Sequence, residues 1–236
     1  MSALQQVMQR IQSAAQYSGR SPAEINLVAV SKTKSTAAIM AAYDAGIRHF
    51  GENRTEELVA KAAALSHVTD LKWHFIGHLQ SRQSQPVATL AHYFHAIDRI
   101  KIATRLSAQL HQLNRILPVF IQVNISGESS KGGFLCSDWE KDDTQRSDFL
   151  HAIESMAVLP NLPLCGLMTM APLDASKSAI RTLFQRLKTL SIWLNEQLPT
   201  LEAHALSMGM SGDFEIAIEE GATHIRVGSA IFADMD

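Results

Sequence analysis

The run Ile25-Asn26-Leu27-Val28-Ala29-Val30-Ser31-Lys32 decides the fold. From Ile25 to Val30 it is too short for a helix, β-branched and apolar nearly throughout, as a strand covered on both faces should be. A strand of that kind belongs to a parallel sheet with crossover helices over it, and the rest of the chain repeats the unit. Short apolar runs recur at Arg48 to Gly51, Lys72 to Gly77, Tyr93 to Ile97, Pro118 to Asn124, Leu164 to Met170, Ala205 to Met210 and Thr223 to Ile231. With the first run, these make eight strand candidates. Helix-like segments lie between them, near 35–45, 53–64, 82–90, 100–114, 147–157, 176–197 and 213–220. Ahead of the first strand, Leu4, Val7, Met8 and Ile11 at helical spacing predict one more amphipathic helix over residues 3–17, ended by Ser18-Gly19.

This order predicts an α/β chain folded as a single (β/α)8 TIM-like barrel with an extra N-terminal helix, one domain over residues 1–236. An open doubly wound sheet shares the same local alternation. One stretch breaks the rhythm: Ser126 to Asp148 is polar and charged, and is expected to be an extended loop leading into a helix, its Asp138 to Asp148 portion a solvated surface.

Composition narrows the function. Hydrophobic residues make up 46% of the 236 residues and charged residues 19%, enough apolar material for a large core. The net charge of −2 comes from 21 basic and 23 acidic residues without a long basic run, so no nucleic-acid partner is expected. No segment has the roughly 20 apolar residues that span a bilayer, and the Gln-rich start lacks an apolar leader segment, so no membrane partner is expected. Two cysteines, Cys136 and Cys165, fit neither a disulfide framework nor a C-x-x-C pair, which suggests a reducing, cytoplasmic location.

In a parallel barrel the C-terminal strand ends and helix N-termini meet at one rim, where chemistry collects. The rim groups here are Ser31 to Lys34, Glu52, Asn53, Gly77, His78, Asp98, Asn124, Ser126, Thr169, Met170, Ser211 to Asp213, Gly228 and Ser229. A lysine at the end of a buried strand is costly unless paired or neutral, and a desolvated lysine forms Schiff bases with carbonyl compounds. Lys32 has that position. Lys34 shares its strand parity, so alternation alone does not choose between them. The tail carries a second signal: Ser207-Met208-Gly209-Met210-Ser211-Gly212-Asp213, then Arg226-Val227-Gly228-Ser229. Gly-containing loops after the last two strands are the common phosphate site of this fold, with Ser211 and Ser229 as hydroxyl donors and Arg226 as a fixed positive charge. A rim lysine joined to a phosphate loop suits a phosphorylated carbonyl ligand, and pyridoxal 5′-phosphate (PLP) fits both ends.

Specific motifs sharpen this. Val28-Ala29-Val30-Ser31-Lys32-Thr33-Lys34, Phe50-Gly51-Glu52-Asn53, Trp73-His74-Phe75-Ile76-Gly77-His78-Leu79-Gln80, Gly166-Leu167-Met168-Thr169-Met170, Ser207-Met208-Gly209-Met210-Ser211 and Arg226-Val227-Gly228-Ser229-Ala230-Ile231-Phe232 follow one another along nearly the whole chain. In this order they resemble the pyridoxal phosphate homeostasis protein family. The resemblance implies a PLP fold type III barrel like the N-terminal domain of alanine racemase, with Lys32 as the Schiff-base lysine. It also implies Ser211, Arg226, Gly228 and Ser229 around the phosphate and Asn53 lining the pocket. No group is assigned to the pyridine nitrogen. Arg54 after Gly51-Glu52-Asn53 and Asp98-Arg99 depart from the family pattern, as does the charge of Ser137 to Ser147.

PLP barrels that act as racemases or decarboxylases complete their site with a second, C-terminal β-domain. Here the chain ends at Asp236, four residues after Phe232, so that domain is expected to be absent. Loss of a positioned acid or base removes roughly 10² to 10⁴ in rate. The expectation is therefore a PLP-binding protein of vitamin B6 homeostasis and amino-acid/keto-acid balance, with no catalytic residue assigned, PLP-dependent enzymes as possible recipients, and a monomer or weak dimer. The alternatives are a PLP-dependent amino-acid racemase or lyase using His78, Asn53 or Asp98, and a small-molecule regulatory module. No metal is expected: His74 and His78 are four apart across a strand end, where that spacing does not share a face. Of His92 and His95, parity buries one and exposes the other.

Overall fold

The computed structural model describes residues 1–235. Ser2 caps the first helix, α1 (Ala3–Tyr17), in a reciprocal capping box with Gln5, and Gly19 in the left-handed region (φ 69°) turns the chain out of it. The barrel strands are β1 (Asn26–Val30), β2 (His49–Glu52), β3 (Lys72–Phe75), β4 (Tyr93–Ile97), β5 (Val119–Asn124), β7 (Leu164–Met168), β8 (Ala205–Ser207) and β9 (His224–Val227), all in parallel pairings. β1 pairs with β9 and β4 with β5, so the sheet closes on itself and the open-sheet alternative is eliminated. A two-residue strand, β6 (Phe134–Leu135), hangs from the C-terminal end of β5 through Val123 and Asn124, outside the barrel wall.

The crossovers are α2 (Thr36–Asp44), α3 (Thr55–Ala64), α4 (Ser84–Leu90), α5 (Ile100–Gln112), α6 (Asp143–Ala157), α7 (Lys177–Gln197) and α8 (Phe214–Glu219). They bury their apolar stripes on the outer wall: Ile102, Ala103, Leu106 and Leu110 of α5, for instance, recur at i, i+1, i+4 and i+8 and are fully buried. α1 packs on α8, with the Arg10 guanidinium 4.5 Å above the Phe214 ring and paired to Glu215 at 2.6 Å.

Three expectations are corrected. The helix after the charged segment begins at Asp143 rather than 147, because the Asp142 carboxylate accepts hydrogen bonds from the Thr144 and Gln145 amides. That segment is not wholly solvated either, since Trp139 is buried against Trp193 and Glu140 pairs with Arg186 at 2.6 Å. β8 stops at Ser207, before a left-handed Gly209, and β9 stops at Val227, where Gly228 opens a turn closed by Ile231. Among the described residues no helix is long and apolar enough to cross a membrane, and no cluster of three metal-ligating side chains occurs.

Candidate functional site

Along β1, Val28 and Val30 point into the lumen, and Lys32 continues that parity onto the rim. Ser31, between them, points outward and donates its hydroxyl to Glu52 Oε1 at 2.6 Å. Alternation then stops. The Lys34 amide donates to the Ser31 carbonyl at 3.0 Å and Thr33 takes a left-handed backbone (φ 63°), a turn that separates Lys34 from Lys32. Lys32 lines the rim cavity and Lys34 does not.

A buried charge cluster holds that turn from behind the wall. Lys61 of α3 spends its ammonium hydrogens on the Ser31 carbonyl (2.7 Å), Glu52 Oε1 (2.8 Å) and Glu57 Oε2 (2.8 Å), and Glu57 Oε2 also accepts from the Thr33 amide (2.7 Å). Both neighbours of Lys32 are thus tied to one ammonium group. Burial pushes the Glu52 carboxyl up from its ordinary value despite the bonds from Lys61 and Ser31, and its Oε2 has no hydrogen-bond partner among the described residues. Sequence reasoning placed Glu52 on the rim without a role and missed Glu57 and Lys61, whose i,i+4 spacing was the available signal.

The opposite side of the cavity comes from the β8–α8 loop and the end of β9. Gly209 has φ 95°, and a Cβ there would stand 2.6 Å from the Ala217 Cβ, so only glycine fits between loop and helix. Its carbonyl accepts from the Arg226 amide (2.9 Å), and Asp213 closes the loop by accepting from the Met210 amide (2.5 Å). This brings three donors together: the Gly228 amide and the Ser229 hydroxyl each lie 3.3 Å from Ser211 Oγ. Arg226 is at the floor, nearly fully buried, donating to Ser207 Oγ (2.6 Å) and the Thr169 carbonyl (2.9 Å). Burial lowers its pKa to about 10 while Asp213 opposes the shift, so the guanidinium stays charged at neutral pH.

Lys32, Asn53, Ser211, Arg226, Gly228 and Ser229 all line this one cavity of about 520 Å³. Asn53 is held by close approach: a Cβ on Gly77 would fall 2.1 Å from its carbonyl oxygen. Met168 and Met170, from a motif given no role above, join Ala171, Pro172, Leu173 and Ile180 in an apolar flank. His78 and Asp98 lie outside the lining, paired with each other at 2.8 Å. Neither thiol takes part: burial pushes Cys136 up to about 12 and Cys165 up to about 11.

Fold and site together define a β/α-barrel class with a rim lysine facing a hydroxyl-and-amide cradle. The profile described as "Alanine racemase, N-terminal domain" matches residues 2–236. The chain belongs to the pyridoxal phosphate homeostasis protein family: it is 44% identical over 230 residues to the protein of that name from Pseudomonas aeruginosa (98% of this chain, 93% of the relative). It is also 42% identical over 238 residues to that of Escherichia coli K12 (99% and 95%). Among solved structures, PipY of Synechococcus elongatus with PLP bound is 34% identical with a TM-score of 0.81, covering 94% of this chain and 99% of that one. An alanine racemase of Clostridium difficile, 14% identical with a TM-score of 0.71, shares the fold over 97% of this chain and 56% of its own.

Proposed function

We propose that the rim cavity binds pyridoxal 5′-phosphate, with Lys32 as its covalent anchor, and that the protein holds and releases the cofactor in PLP homeostasis. The observation that carries this is the placement of Lys32, without a hydrogen-bond or ion-pair partner among the described residues, in the same cavity as Ser211, Gly228, Ser229 and Arg226. The residues fit the group. When bound, PLP supplies an aldehyde that condenses with a primary amine, C=N replacing C=O with loss of one water. Ser211 and Ser229 offer hydroxyls and Gly228 an amide to the phosphate, and the buried Arg226 charge favours an anionic ligand. Asn53 lines the wall beside Lys32. The PLP-bound PipY relative supports PLP as the ligand.

Holding rather than turnover is favoured by the acid/base inventory. Racemisation needs proton transfer at both faces of the substrate carbon, and the rim pair His78 and Asp98 is engaged with itself outside the cavity. Delivery to PLP-dependent enzymes and a part in amino-acid and keto-acid balance follow from that role.

Borohydride reduction of the PLP-treated protein, followed by peptide mass analysis, tests the site. The added pyridoxyl mass is expected on the Lys32 peptide and absent from Lys32→Ala. Modification at Lys34 alone, or a wild type that takes up no PLP, overturns the assignment. Sustained turnover of L- or D-amino acids abolished by Lys32→Ala would replace the holding role with an enzyme.

A further inference from the structure

The barrel lumen, which usually fills with branched apolar side chains, holds a row of imidazoles here. His49 Nδ1 lies 2.8 Å from His74 Nε2, His74 Nδ1 lies 2.8 Å from His95 Nε2, and His95 Nδ1 lies 2.8 Å from Ser207 Oγ. Ser207 Oγ in turn accepts from Arg226 at 2.6 Å. The row therefore runs from the start of β2, at the barrel end away from the rim, to the floor of the cavity. His74 and His95 are wholly buried, His74 stacked on Tyr93 and His95 on Phe120, and neither makes a carboxylate contact among the described residues.

Hydrogen-bond arithmetic fixes the direction of the row. A neutral imidazole has one N–H and one acceptor nitrogen, and a guanidinium only donates. If His95 donated from Nδ1, Ser207 Oγ would accept twice, from His95 and Arg226. Its own buried proton would then need a third partner, and none lies within reach among the described residues. If Ser207 donates to His95 Nδ1, every group is satisfied: His95 Nε2–H meets His74 Nδ1, and His74 Nε2–H meets His49 Nδ1. The last proton, on His49 Nε2, is left at the half-buried far end. Charge supports neutrality throughout. Burial holds His74 and His95 well below the ordinary histidine range and lowers His49, and the groups facing them are His224, His92, Lys72 and Arg226, with no acid among those named.

We propose that His49, His74 and His95 form a one-directional chain, each in its Nε2–H form, that positions Arg226 toward the ligand through Ser207. Donation from Ser207 to His95 strengthens its oxygen as an acceptor, because bonds in series polarise one another. The guanidinium is fixed at two points, Ser207 Oγ and the Thr169 carbonyl, and the residue lines the cavity. His95 and Ser207 are positioning residues, and the inference rests on PLP occupying this cavity only where ligand affinity is concerned.

Two measurements test it. In the ligand-free protein, long-range ¹H–¹⁵N spectra of labelled histidines are expected to show His49, His74 and His95 as Nε2–H tautomers with unprotonated, hydrogen-bonded Nδ1. His74 and His95 should not change between pH 8 and pH 6. Nδ1–H tautomers, or an imidazolium at His74 or His95 in that range, overturn the chain. In the second, PLP is titrated into folded variants. His95→Phe, which leaves Ser207 no acceptor, should weaken affinity roughly ten-fold, the loss of about one hydrogen bond. His95→Asn, whose Oδ1 replaces Nδ1, should restore most of it. Wild-type affinity in His95→Phe, or no recovery with Asn, removes the positioning role. A wild type that takes up no PLP counts against the proposed function, and the tautomer spectra then judge the chain by themselves.

Discussion

Lys61 shows how much one side chain can organise. Its ammonium group is the common partner of both segments flanking Lys32, and it sits over a fully buried Glu52. Removing one member of a buried ion pair commonly costs 3–5 kcal/mol because the other is left uncompensated. Lys61→Met should lower stability by about 3 kcal/mol at pH 8 in urea unfolding and slow PLP uptake. The loss should shrink at low pH. Burial already raises the Glu52 carboxyl, so the folded state binds its proton more tightly than the unfolded chain does. The penalty is absent below the unfolded value near 4.3 and grows as pH rises through the folded one. Equal destabilisation at pH 5 and pH 8 would contradict this account. The rim position of Lys32 was legible from its place at the end of a short apolar strand. Strand pattern alone left it level with Lys34, because the turn that separates the two depends on a left-handed threonine that no propensity favours.

Elements were readable where periodicity dominates and misread where a single residue ends them. β1, β4, α1 and α7 lie within a residue or so of their sequence bounds, since five to twenty-one residues of consistent pattern outvote local exceptions. β8 and β9 were drawn too long because the apolar run continues past Ser207 and Val227 into loops that pack inward, leaving hydropathy unchanged where pairing stops. Those loops form the donor cradle, so overrun and candidate site coincide. Two glycines of one loop make an internal comparison. Gly209→Ala should cost about 1–3 kcal/mol, from left-handed strain plus the 2.6 Å approach to Ala217. Gly212→Ala meets nothing within 4 Å and has no positive φ, so thermal unfolding should change by no more than about 0.5 kcal/mol. Comparable losses at both positions would show that the loop is not held as described.

At the scale of the whole molecule, closure was an inference from strand count that the β4–β5 pairing completes. The content of the lumen was not readable, because alternation says which residues face inward but not that three inward histidines come within hydrogen-bond reach of one another. The imidazoles give the molecule an acid limit. His74, His95 and His224 are buried and held neutral, with His224 lowered to about 4, whereas their unfolded counterparts protonate near 6.5. Between those values the unfolded chain binds more protons than the folded one, so stability falls as pH drops. The slope approaches about 1.4 kcal/mol per pH unit for each imidazole. Chemical denaturation is expected to show steep loss from pH 6.5 towards pH 4 and little change from pH 7 to 8. A flat profile across pH 6.5 to 5 would mean that these groups are already charged in the folded protein.

The two thiols have a consequence of their own. Thiolates add to aldehydes and are the first groups to oxidise, and a chain that holds PLP as proposed runs both risks. With Cys136 held to about 12 and Cys165 to about 11, essentially no thiolate exists at neutral pH. The native protein should therefore ignore Ellman's reagent and keep its mass on storage in air without reductant, and both cysteines should react at once after denaturation. Burial of both thiols would thus keep PLP, held as proposed, chemically safe from the protein's own cysteines.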